Sequence, residues 1–434
     1  MDSPSFFFPI KIAFISRCYT IKYYLNIILW GYQVKFSAID LFSGAGGVSE
    51  ALKKHFDIKC AVEFDKIIAS TYALNHGSDH LLVKDIRKVK KKKWNRIKSK
   101  LNGDNLDLLV ATPPCQGFSR HSRKKSVTNA DDRNKLIMQV IRVAKILQPN
   151  YILFENVDNI VNFKIFHIFL TLLANLDSDG HKKHRDRPSY HLRFEVVDAV
   201  NYGVPQHRKR MILIGEKINE FPNTDAIIKE SVKGQPYVTN PLPLWPKTEK
   251  APTLRKHLEP HNLSKLEAGG VDEKDKLHRC RNLSPDNLIR IRATPRNGGS
   301  RSDWKEEQLT LECHKKSNVS FGDVYGRMNF DNYAPTITCG CLAYTKGRFG
   351  HPEEDRAISM REAALIQTFP MHYKFTGKVD GNAHEGSSEN IATQIGNAVP
   401  VRLAQSFVDL IFNQLLNVAQ IEFFSEQLVA ATQA

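Results

Sequence analysis

The sequence predicts an α/β protein in which helices flank a mostly parallel sheet, together with a second, smaller and irregular lobe. The first part of this prediction comes from five short apolar runs separated by longer helix-compatible stretches: residues 37–42, 58–64, 106–112, 151–156 and 210–215. Such alternation of strands and helices is typical of a parallel sheet covered on both faces. From 216 to about 335 the chain is rich in Pro, Asn, Lys and Arg, and its weaker periodicity predicts the second lobe.

Four further stretches have a recognisable helical or polar pattern. Residues 134–147 predict a crossover helix, because apolar side chains recur at helical spacing until Pro149 ends the pattern. The stretch 359–369 also predicts a helix, and 401–416 predicts an amphipathic helix that packs back onto the sheet. Residues 177–190 are polar and charged, which predicts a surface insertion.

These patterns divide the chain into a core domain that is interrupted by the second lobe and flanked by two ends. The predicted bounds are 1–36 for an N-terminal extension, 37–215 for the first part of the core domain, 216–350 for the second lobe, 351–417 for the segment that returns to the core domain, and 418–434 for a tail. With 434 residues and 41% hydrophobic content, the chain has enough apolar material for two cores.

The extension 1–36 is aromatic and aliphatic, but we expect neither a membrane anchor nor a signal peptide there. Lys11, Arg17 and Lys22 interrupt the apolar run before it reaches the roughly 20 residues that a membrane span requires. Its role stays open, and a start codon upstream of Val34 would also explain it.

The composition favours a polyanionic partner and a reducing compartment. The chain has 62 Lys and Arg against 46 Asp and Glu, a formal net charge of +16, which favours contact with phosphates; a merely solvated surface is the alternative. Seven cysteines, an odd number in a long chain, do not suggest a disulfide framework. We therefore expect a cytoplasmic protein.

Ligands of parallel sheets bind at the carboxyl ends of the strands, so the residues after each apolar run matter most. A glycine turn, residues 43–47, follows the first run and leads into a helix, an arrangement that lets backbone amides approach a nucleotide-like ligand. Glu63 follows the second run, about where a carboxylate binds ribose hydroxyls in nucleotide-binding sheets. These two features alone would equally suggest a nicotinamide-dependent enzyme.

The third, fourth and fifth runs are followed or preceded by reactive and charged residues. Cys115 stands on a Pro-Pro turn beside a basic loop, a setting that favours a thiolate. Glu155 ends a central strand, where burial would keep its carboxyl group protonated. Gln206, Arg208 and Arg210 alternate, so we expect them on one face of a strand.

Seven blocks in this order resemble the DNA (cytosine-5) methyltransferase family. They are DLFSGAGG, PPCQGFS, FENV, GVPQHRKR, APTIT, REAALIQTFP and IGNAVP, and they extend from residue 37 to about 405. The resemblance implies a Rossmann-like, S-adenosylmethionine-dependent methyltransferase sheet, with 216–350 as an irregular target-recognition domain. It also suggests the modification enzyme of a bacterial restriction-modification system, with a cognate restriction endonuclease as a further partner.

The resemblance implies roles for the catalytic residues. Cys115 would attack carbon 6 of cytosine, Glu155 would hold ring nitrogen 3, and Arg210 would contact the cytosine oxygen, with Gln206 and Arg208 in supporting roles. Attack at carbon 6 makes carbon 5 nucleophilic enough to accept a methyl group. The base that removes the proton from carbon 5 is not identifiable in the sequence.

The resemblance also implies a site for S-adenosylmethionine. The glycine turn and Phe42 would line the methionine and adenosine moieties, and Glu63 would bind the ribose. Asp85 would lie near the adenine amino group, and two residues of the GNAVP block would close the pocket. The full set is Phe42, Gly44, Gly46, Glu63, Asp85, Asn397 and Val399.

The implied substrate is double-stranded DNA, from which the target cytosine must be flipped out because carbon 5 is inaccessible within the stack. Loop 116–133 would close over it, with Ser119, Arg120, Arg123 and Lys124 as DNA contacts. The alternatives are a tRNA methyltransferase and a non-catalytic nucleic-acid-binding protein on the same fold. We expect a monomer.

We expect no metal ion. The cysteines at 339 and 341, with Cys313 and His314 upstream, do not have the spacing of a standard zinc pair. The DNA sequence that is methylated cannot be read from the chain.

Overall fold

The computed structural model describes most of the chain. The described residues are 35–101, 105–114, 136–175, 183–184, 186–218, 231–232, 235–236, 242–315 and 322–433. The predicted extension therefore lies outside the described residues except for its last two positions. No helix within these ranges is both long and apolar enough to cross a membrane.

A seven-stranded sheet forms the centre of the protein, which confirms the predicted α/β fold class. Its order is β3-β2-β1-β4-β5-β7-β6, and the five strands from β3 to β5 run parallel, whereas β7 is antiparallel to both β5 and β6. The strands are β1 (Phe36–Leu41), β2 (Phe56–Glu63), β3 (Leu81–Val83), β4 (Leu108–Ala111), β5 (Tyr151–Val157), β6 (Ser189–Asp198) and β7 (Lys209–Ile218). A separate two-stranded ribbon joins β8 (Ser231–Val232) to β9 (Gln235–Pro236).

Helices cover both faces of the sheet. The helices are α1 (Gly47–Leu52), α2 (Lys66–His76), α3 (Lys91–Lys98), α4 (Ile137–Leu147), α5 (Lys164–Ala174), α6 (Leu254–Leu258), α7 (Pro285–Ala293), α8 (Met360–Ile366), α9 (Ser388–Asn397) and α10 (Val401–Gln433). One face packs against α3, α4 and α5 in a core that includes Trp94 and Phe166. The other packs against α1 and α10 through Leu52, Phe407 and Ile411. The sequence-predicted return of the last helix is thus observed, because α10 contributes to the core of the sheet.

The structure extends or adds to several predicted elements. The predicted strands at 37–42, 58–64, 106–112, 151–156 and 210–215 correspond to β1, β2, β4, β5 and β7. Strands β3 and β6 were not predicted, and β6 begins at Ser189, inside the expected insertion 177–190. Helix α10 continues to Gln433, through the residues that the sequence set apart as a tail.

The described residues of 242–315 and 322–358 contain little regular structure, as the sequence predicted for the second lobe. Two short α-helices, α6 and α7, alternate there with single 3-10 turns. A small core around Ile291, Tyr325 and Tyr344 holds part of this region together. A larger core joins it to α8 and α9 through Ile337 and Ile395.

Gly396, in the predicted GNAVP block, lies against the backbone of a distant segment. A Cβ at this position would overlap the main-chain atoms of Thr338 and Cys339. Main-chain atoms cannot move aside as a flexible side chain can, so only glycine allows α9 to pack this closely.

We predict that Gly396→Ala lowers the free energy of unfolding by about 1–3 kcal/mol, the usual cost of overpacking a close contact. Urea denaturation followed by circular dichroism would measure the change. Gly322→Ala is the matched control, because a Cβ there would meet no heavy atom within 4 Å. Equal stability of the two variants would contradict the proposed packing constraint.

Candidate active site

The candidate site lies at the carboxyl ends of β1 and β4, where the strand order changes direction. Such a switch point is the usual ligand crevice of a doubly wound sheet. Phe42 follows β1 with a φ of 61°, and Gly44 and Gly46 have φ values of 56° and 90°. The hydroxyl of Thr112 donates to the carbonyl oxygen of Phe42 at 3.1 Å. The residue before the glycine turn is therefore bonded to the residue before the PPC block.

Glu63, at the end of β2, binds the glycine turn. Its carboxylate accepts the amide of Gly44 at 2.9 Å, and its other oxygen accepts the amides of Phe64 and Asp65 at 2.7 and 2.8 Å. Burial raises the pKa of Glu63 above its ordinary value, and these three backbone hydrogen bonds oppose that shift. The oxygen that binds Gly44 accepts only one of these amides, so its second lone pair can still accept a hydroxyl group.

The space around the turn suits a nucleotide-like ligand. A Cβ on Gly44 would meet only the carbonyl oxygen of Phe42, at 3.9 Å, so the turn is open at this position. Phe64 is 71% exposed beside Glu63 and offers a free aromatic face. Sequence reasoning missed Phe64, although an aromatic residue directly after a carboxylate at a strand end was visible in the sequence.

Tyr373, from the C-terminal part of the chain, and His76, at the end of α2, hold the glycine turn in place. The hydroxyl of Tyr373 donates to the carbonyl oxygen of Ala45 at 2.6 Å, and a ring nitrogen of His76 lies 3.0 Å from that hydroxyl. A Cβ on Gly46 would overlap both side chains. No sequence pattern identified Tyr373 or His76, because their roles depend on a contact between distant segments.

The two predicted GNAVP residues occupy different environments. Val399 is buried, and its carbonyl oxygen would lie 3.0 Å from a Cβ on Gly47, so it packs beside the turn. Asn397 is exposed, and its side-chain oxygen accepts a hydrogen bond from the thiol of Cys339 at 3.2 Å.

Asp85 follows β3 on the other side of Glu63. The amide of Lys84 donates to the carbonyl oxygen of Glu63 at 2.8 Å. Asp85 is the next residue after Lys84, so it lies close to Glu63, the residue expected to bind the ribose. Its carboxylate pairs with Arg87 at 2.7 Å, and hydrogen bonds from Arg87 lower the pKa of Asp85.

Glu155 and Arg210 meet at the ends of β5 and β7. The guanidinium Nε of Arg210 lies 3.0 Å from a carboxylate oxygen of Glu155, and both side chains are largely buried. Next to Glu155, the side chain of Asn156 donates to the carbonyl oxygen of Pro113 at 3.0 Å. The FENV and PPC blocks are therefore in contact, and Cys115 is the second residue after Pro113 in the sequence.

Opposing effects act on the carboxyl group of Glu155. Burial raises its pKa above the ordinary value, as the sequence predicted, whereas the positive charges of Arg210 and Arg208 oppose this shift. The net direction is upward, which favours a carboxyl group that keeps its proton and can donate a hydrogen bond.

Gln206 and Arg208 are fully buried and contact the C-terminal segments. They lie before β7, which begins at Lys209, rather than on one face of that strand. The guanidinium of Arg208 donates to the carbonyl oxygens of Ile337 and Gly396, both at 2.8 Å. Gln206 donates to the side chain of Gln367 at 2.9 Å and accepts the amide of Ile337 at 2.8 Å.

Several predicted site residues lie outside the described residues. They are Cys115, Ser119, Arg120, Arg123 and Lys124. The juxtaposition of Cys115 and Glu155 that the sequence predicts therefore stays a prediction. Within the described part of the chain, no group of three or more His, Cys, Asp or Glu side chains could hold a metal ion.

A buried polar chain lies beneath the glycine turn. Asp40 on β1 accepts the hydroxyl of Ser49 at 2.7 Å, Ser49 lies 3.1 Å from the hydroxyl of Tyr72, and Tyr72 lies 2.9 Å from a ring nitrogen of His80. Burial raises the pKa of Asp40 to about 7; the hydrogen bond from Ser49 opposes this, and the charge of Glu63 adds to it.

We predict that Asp40→Asn changes how stability depends on pH. The unfolded chain releases the Asp40 proton near pH 3.8 and the folded protein releases it near pH 7. The folded state therefore binds more protons than the unfolded state between these two pH values. The stability of the wild type therefore falls as pH rises through this window, and the variant lacks this contribution. The difference in the free energy of unfolding, variant minus wild type, should therefore rise as the pH increases from 3.8 to about 7. We expect a rise of at least about 1 kcal/mol, since one pKa unit corresponds to about 1.4 kcal/mol.

Urea denaturation at several pH values from 4 to 8 would measure this difference. Asp57→Asn, a change of an exposed residue on β2, controls for the loss of one carboxylate. A difference between Asp40→Asn and the wild type that is independent of pH would show that Asp40 does not titrate in this range.

Comparison with known proteins identifies the family. A family model described as C-5 cytosine-specific DNA methylase matches residues 36–413. The Type II methylase M.HgiDII of Herpetosiphon aurantiacus is 34% identical over 374 residues, covering 85% of this chain and 93% of that protein. The Type II methyltransferase M1.HphI of Haemophilus parahaemolyticus is 26% identical over 402 residues, covering 92% of each. The structure of the methyltransferase EhMeth of Entamoeba histolytica has a similar fold, with a TM-score of 0.54, 15% identity, and coverage of 88% of this chain and 99% of that one.

The doubly wound sheet with a glycine turn and carboxylates at its switch point defines an α/β methyltransferase fold. The match over most of its length shows that the chain belongs to the C-5 cytosine-specific DNA methylase family. The protein is a DNA (cytosine-5-)-methyltransferase, and DNA is its substrate.

Proposed function

We propose that the protein transfers a methyl group from S-adenosylmethionine to carbon 5 of a cytosine flipped out of a specific duplex DNA site, through a covalent bond to Cys115. The contact that best supports this proposal joins Asn156 to the carbonyl of Pro113, because it brings the FENV and PPC blocks together beside the glycine turn. The largely buried pair of Glu155 and Arg210 lies next to that contact.

In the first step, the thiolate of Cys115 attacks carbon 6 of cytosine and forms a sulfur–carbon bond. The electron pair of the 5,6 double bond moves toward carbon 5 while ring nitrogen 3 accepts a proton or hydrogen bond from Glu155. The upward shift of the pKa of Glu155 suits this donation. Arg210 contacts the cytosine oxygen and stabilises the negative charge that develops on the ring.

When bound, S-adenosylmethionine would supply the methyl group as an electrophile on positively charged sulfur: the electron pair at carbon 5 would form the new carbon–carbon bond, and the pair of the broken sulfur–methyl bond would stay on the sulfur as a neutral thioether. A base then removes the proton from carbon 5. The electron pair of that carbon–hydrogen bond restores the double bond, and the bond from carbon 6 to Cys115 breaks to release the thiolate. We assign no residue to the removal of this proton.

The described residues at the switch point fit the cofactor. Glu63 would accept the ribose hydroxyls, and the exposed ring of Phe64 would pack against the adenine. Asp85 would lie near the adenine amino group. Phe42, Gly44 and Gly46 would line the methionine and adenosine moieties, with Asn397 and Val399 closing the pocket.

Gln206 and Arg208 would act by positioning rather than by touching the base. Their hydrogen bonds go to residue 337, near the end of the second lobe, and to residues 367, 396 and 398, in the segment that returns to the sheet. In this proposal the core domain comprises 37–215 and 351–417, and 216–350 reads the DNA sequence. Loop 116–133, with Ser119, Arg120, Arg123 and Lys124, closes over the flipped base.

The biological setting is also a proposal. Because two relatives are named as Type II enzymes, we infer that this protein modifies DNA in a bacterial restriction-modification system, in the cytoplasm and as a monomer. A cognate endonuclease would cut the same DNA site when it is unmethylated.

Bisulfite sequencing of DNA from cells that express the protein tests the activity and maps the site in one measurement. We expect methylated cytosines within a single short sequence. Methyl transfer to tRNA but not to duplex DNA would contradict the proposal.

We predict that Cys115→Ser abolishes turnover, by a factor of about 10⁴ or more, because the reaction loses its nucleophile. Binding of duplex DNA should persist, since the charge and the fold are unchanged. Cys313→Ser, at an exposed cysteine, is the matched control and should keep full activity. Full methylation by Cys115→Ser would exclude the covalent mechanism.

We predict that Glu155→Gln lowers the turnover number by about 10²–10⁴, the usual contribution of a general acid. The amide can still donate a hydrogen bond to ring nitrogen 3 but cannot supply a proton. Rapid-quench assays with a labelled methyl donor would measure the methyl-transfer rate. An unchanged rate would remove Glu155 from the mechanism.

A further inference from the structure

A run of basic residues between β3 and β4 has no role in the proposed chemistry. We call residues 84–100 the basic segment. It contains eight Lys and two Arg and only one acidic residue, Asp85, which gives it a formal charge of 10 − 1 = +9. The whole chain has a net charge of 62 − 46 = +16, so 17 residues account for more than half of the excess.

The cations of the basic segment are directed to solvent. Nine of the ten are exposed, and Lys98 is half-buried; the exposed ones are Lys84, Arg87, Lys88, Lys90, Lys91, Lys92, Lys93, Arg96 and Lys100. Of the ten cations, only Arg87 has a carboxylate within ion-pair distance among the residues that the structure describes. That carboxylate belongs to the neighbouring Asp85. The charge of this surface is therefore largely uncompensated.

The segment begins at the edge of the sheet that holds the candidate active site. Val83 pairs with Glu63 at the carboxyl ends of β3 and β2, and the amide of Lys84 donates to the carbonyl of Glu63. Helix α3 then runs back along the sheet toward the amino end of β4. Its first turn, with Lys91 and Lys92, is consequently at the end of the helix nearest the site.

The lysines at the start of α3 are not explained by the stability of the helix. The N-cap position is Lys90, without a side-chain cap, and the first turn has no acidic residue. Positive charges at a helix N-terminus interact unfavourably with the helix dipole. The helix is held instead by its other face, where Trp94 and Ile97 are buried in the core.

The backbone that leads into α3 is fixed as well. The guanidinium of Arg142, on α4, donates to the carbonyl oxygens of Val89 and Ile86 at 2.8 and 2.7 Å. Helix α4 follows loop 116–133 in the sequence, and α3 packs against α4. The lysines are thus presented on a rigid support beside the helix that follows the proposed DNA-contacting loop.

We propose that the basic segment binds the phosphate backbone of the DNA duplex that flanks the methylated site. This proposal rests on DNA as the substrate, and it adds a contact surface outside the base-flipping site. An eight-residue helix is about 12 Å long, over which duplex DNA has about seven phosphates. Duplex DNA is long enough to reach from the site to α3, and its charge complements this surface.

The double variant Lys91→Gln with Lys92→Gln tests the proposal with duplexes of two lengths that contain the mapped methylation site. The short duplex extends about half a helical turn on each side of the site, and the long duplex about two turns. For the long duplex, we expect about tenfold weaker binding in moderate salt, and a salt dependence reduced by about two phosphate contacts. For the short duplex, affinity and turnover number should equal those of the wild type.

The matched control is Lys53→Gln with Lys54→Gln. These two exposed lysines follow α1 and lie just before the amino end of β2, whereas the basic segment begins at the carboxyl end of β3. Their replacement removes the same charge. We expect the control to bind both duplexes as the wild type does. The melting temperature of the Lys91/Lys92 variant should be unchanged or slightly higher, because glutamine is a good helix former and the unfavourable charge at the helix start is reduced.

Three outcomes would overturn the proposal. The first is undiminished affinity of the variant for the long duplex, and the second is an equal loss for the short and long duplexes. The third is weaker binding of a structured RNA with unchanged binding of duplex DNA, which would assign the surface to another polyanion. Methylation of the short duplex by the wild type is the internal check, because its absence would refute the proposed function and not this contact.

Discussion

The buried guanidinium of Arg208 is the contact on which the architecture of the site depends. Its hydrogen bonds reach the carbonyl oxygens of Ile337, Gly396 and Ala398, in two segments that are more than 120 residues further along the chain. The side chain is 1% exposed, and its hydrogen bonds to Ile337 and Gly396 are buried, so water is not available to these two carbonyls as an alternative partner. Without the guanidinium, each carbonyl left buried without a hydrogen bond would lower the free energy of unfolding by about 1–3 kcal/mol. A single side chain next to β7 therefore fixes where the C-terminal segments meet the sheet.

That constraint explains how a site can be assembled from distant parts of the sequence. Once α9 is held beside β7, the residues around it can reach the glycine turn. Tyr373 then binds the carbonyl of Ala45, and Val399 packs beside Gly47. On the other side of the crevice, Asn156 fixes the backbone at Pro113. The crevice thus has walls that are bonded to one another before a ligand enters, which is the form of preorganisation that catalysis requires.

The sequence could predict the parts of this architecture that have a local cause. Strand β4 and the first four residues of β5 are continuous apolar runs, because both faces of a central strand are buried. Strand β6 was missed because it is an edge strand, in which charged residues such as Arg193 and Glu195 interrupt the apolar pattern. Glu155 was identifiable from its position at a strand end and from the resemblance. The partners of Gln206 and Arg208 were not, since no local pattern specifies a partner 129–190 residues away.

The opposing effects on Glu155 connect this framework to the proposed chemistry. Arg210 now lies 3.0 Å from the carboxylate and favours its ionised form, whereas burial favours the protonated form. In the proposed reaction Arg210 contacts the cytosine oxygen, so the entering base would share a guanidinium that otherwise binds Glu155 and the carbonyl oxygen of Lys209. Excluding water from the crevice would at the same time strengthen the effect of burial. Both changes would raise the pKa of Glu155 further, so a larger fraction of the carboxyl group would be protonated, and able to donate to ring nitrogen 3, when the base is in place. Because Arg208 also contributes positive charge at Glu155, the residue that fixes the architecture helps to set this balance.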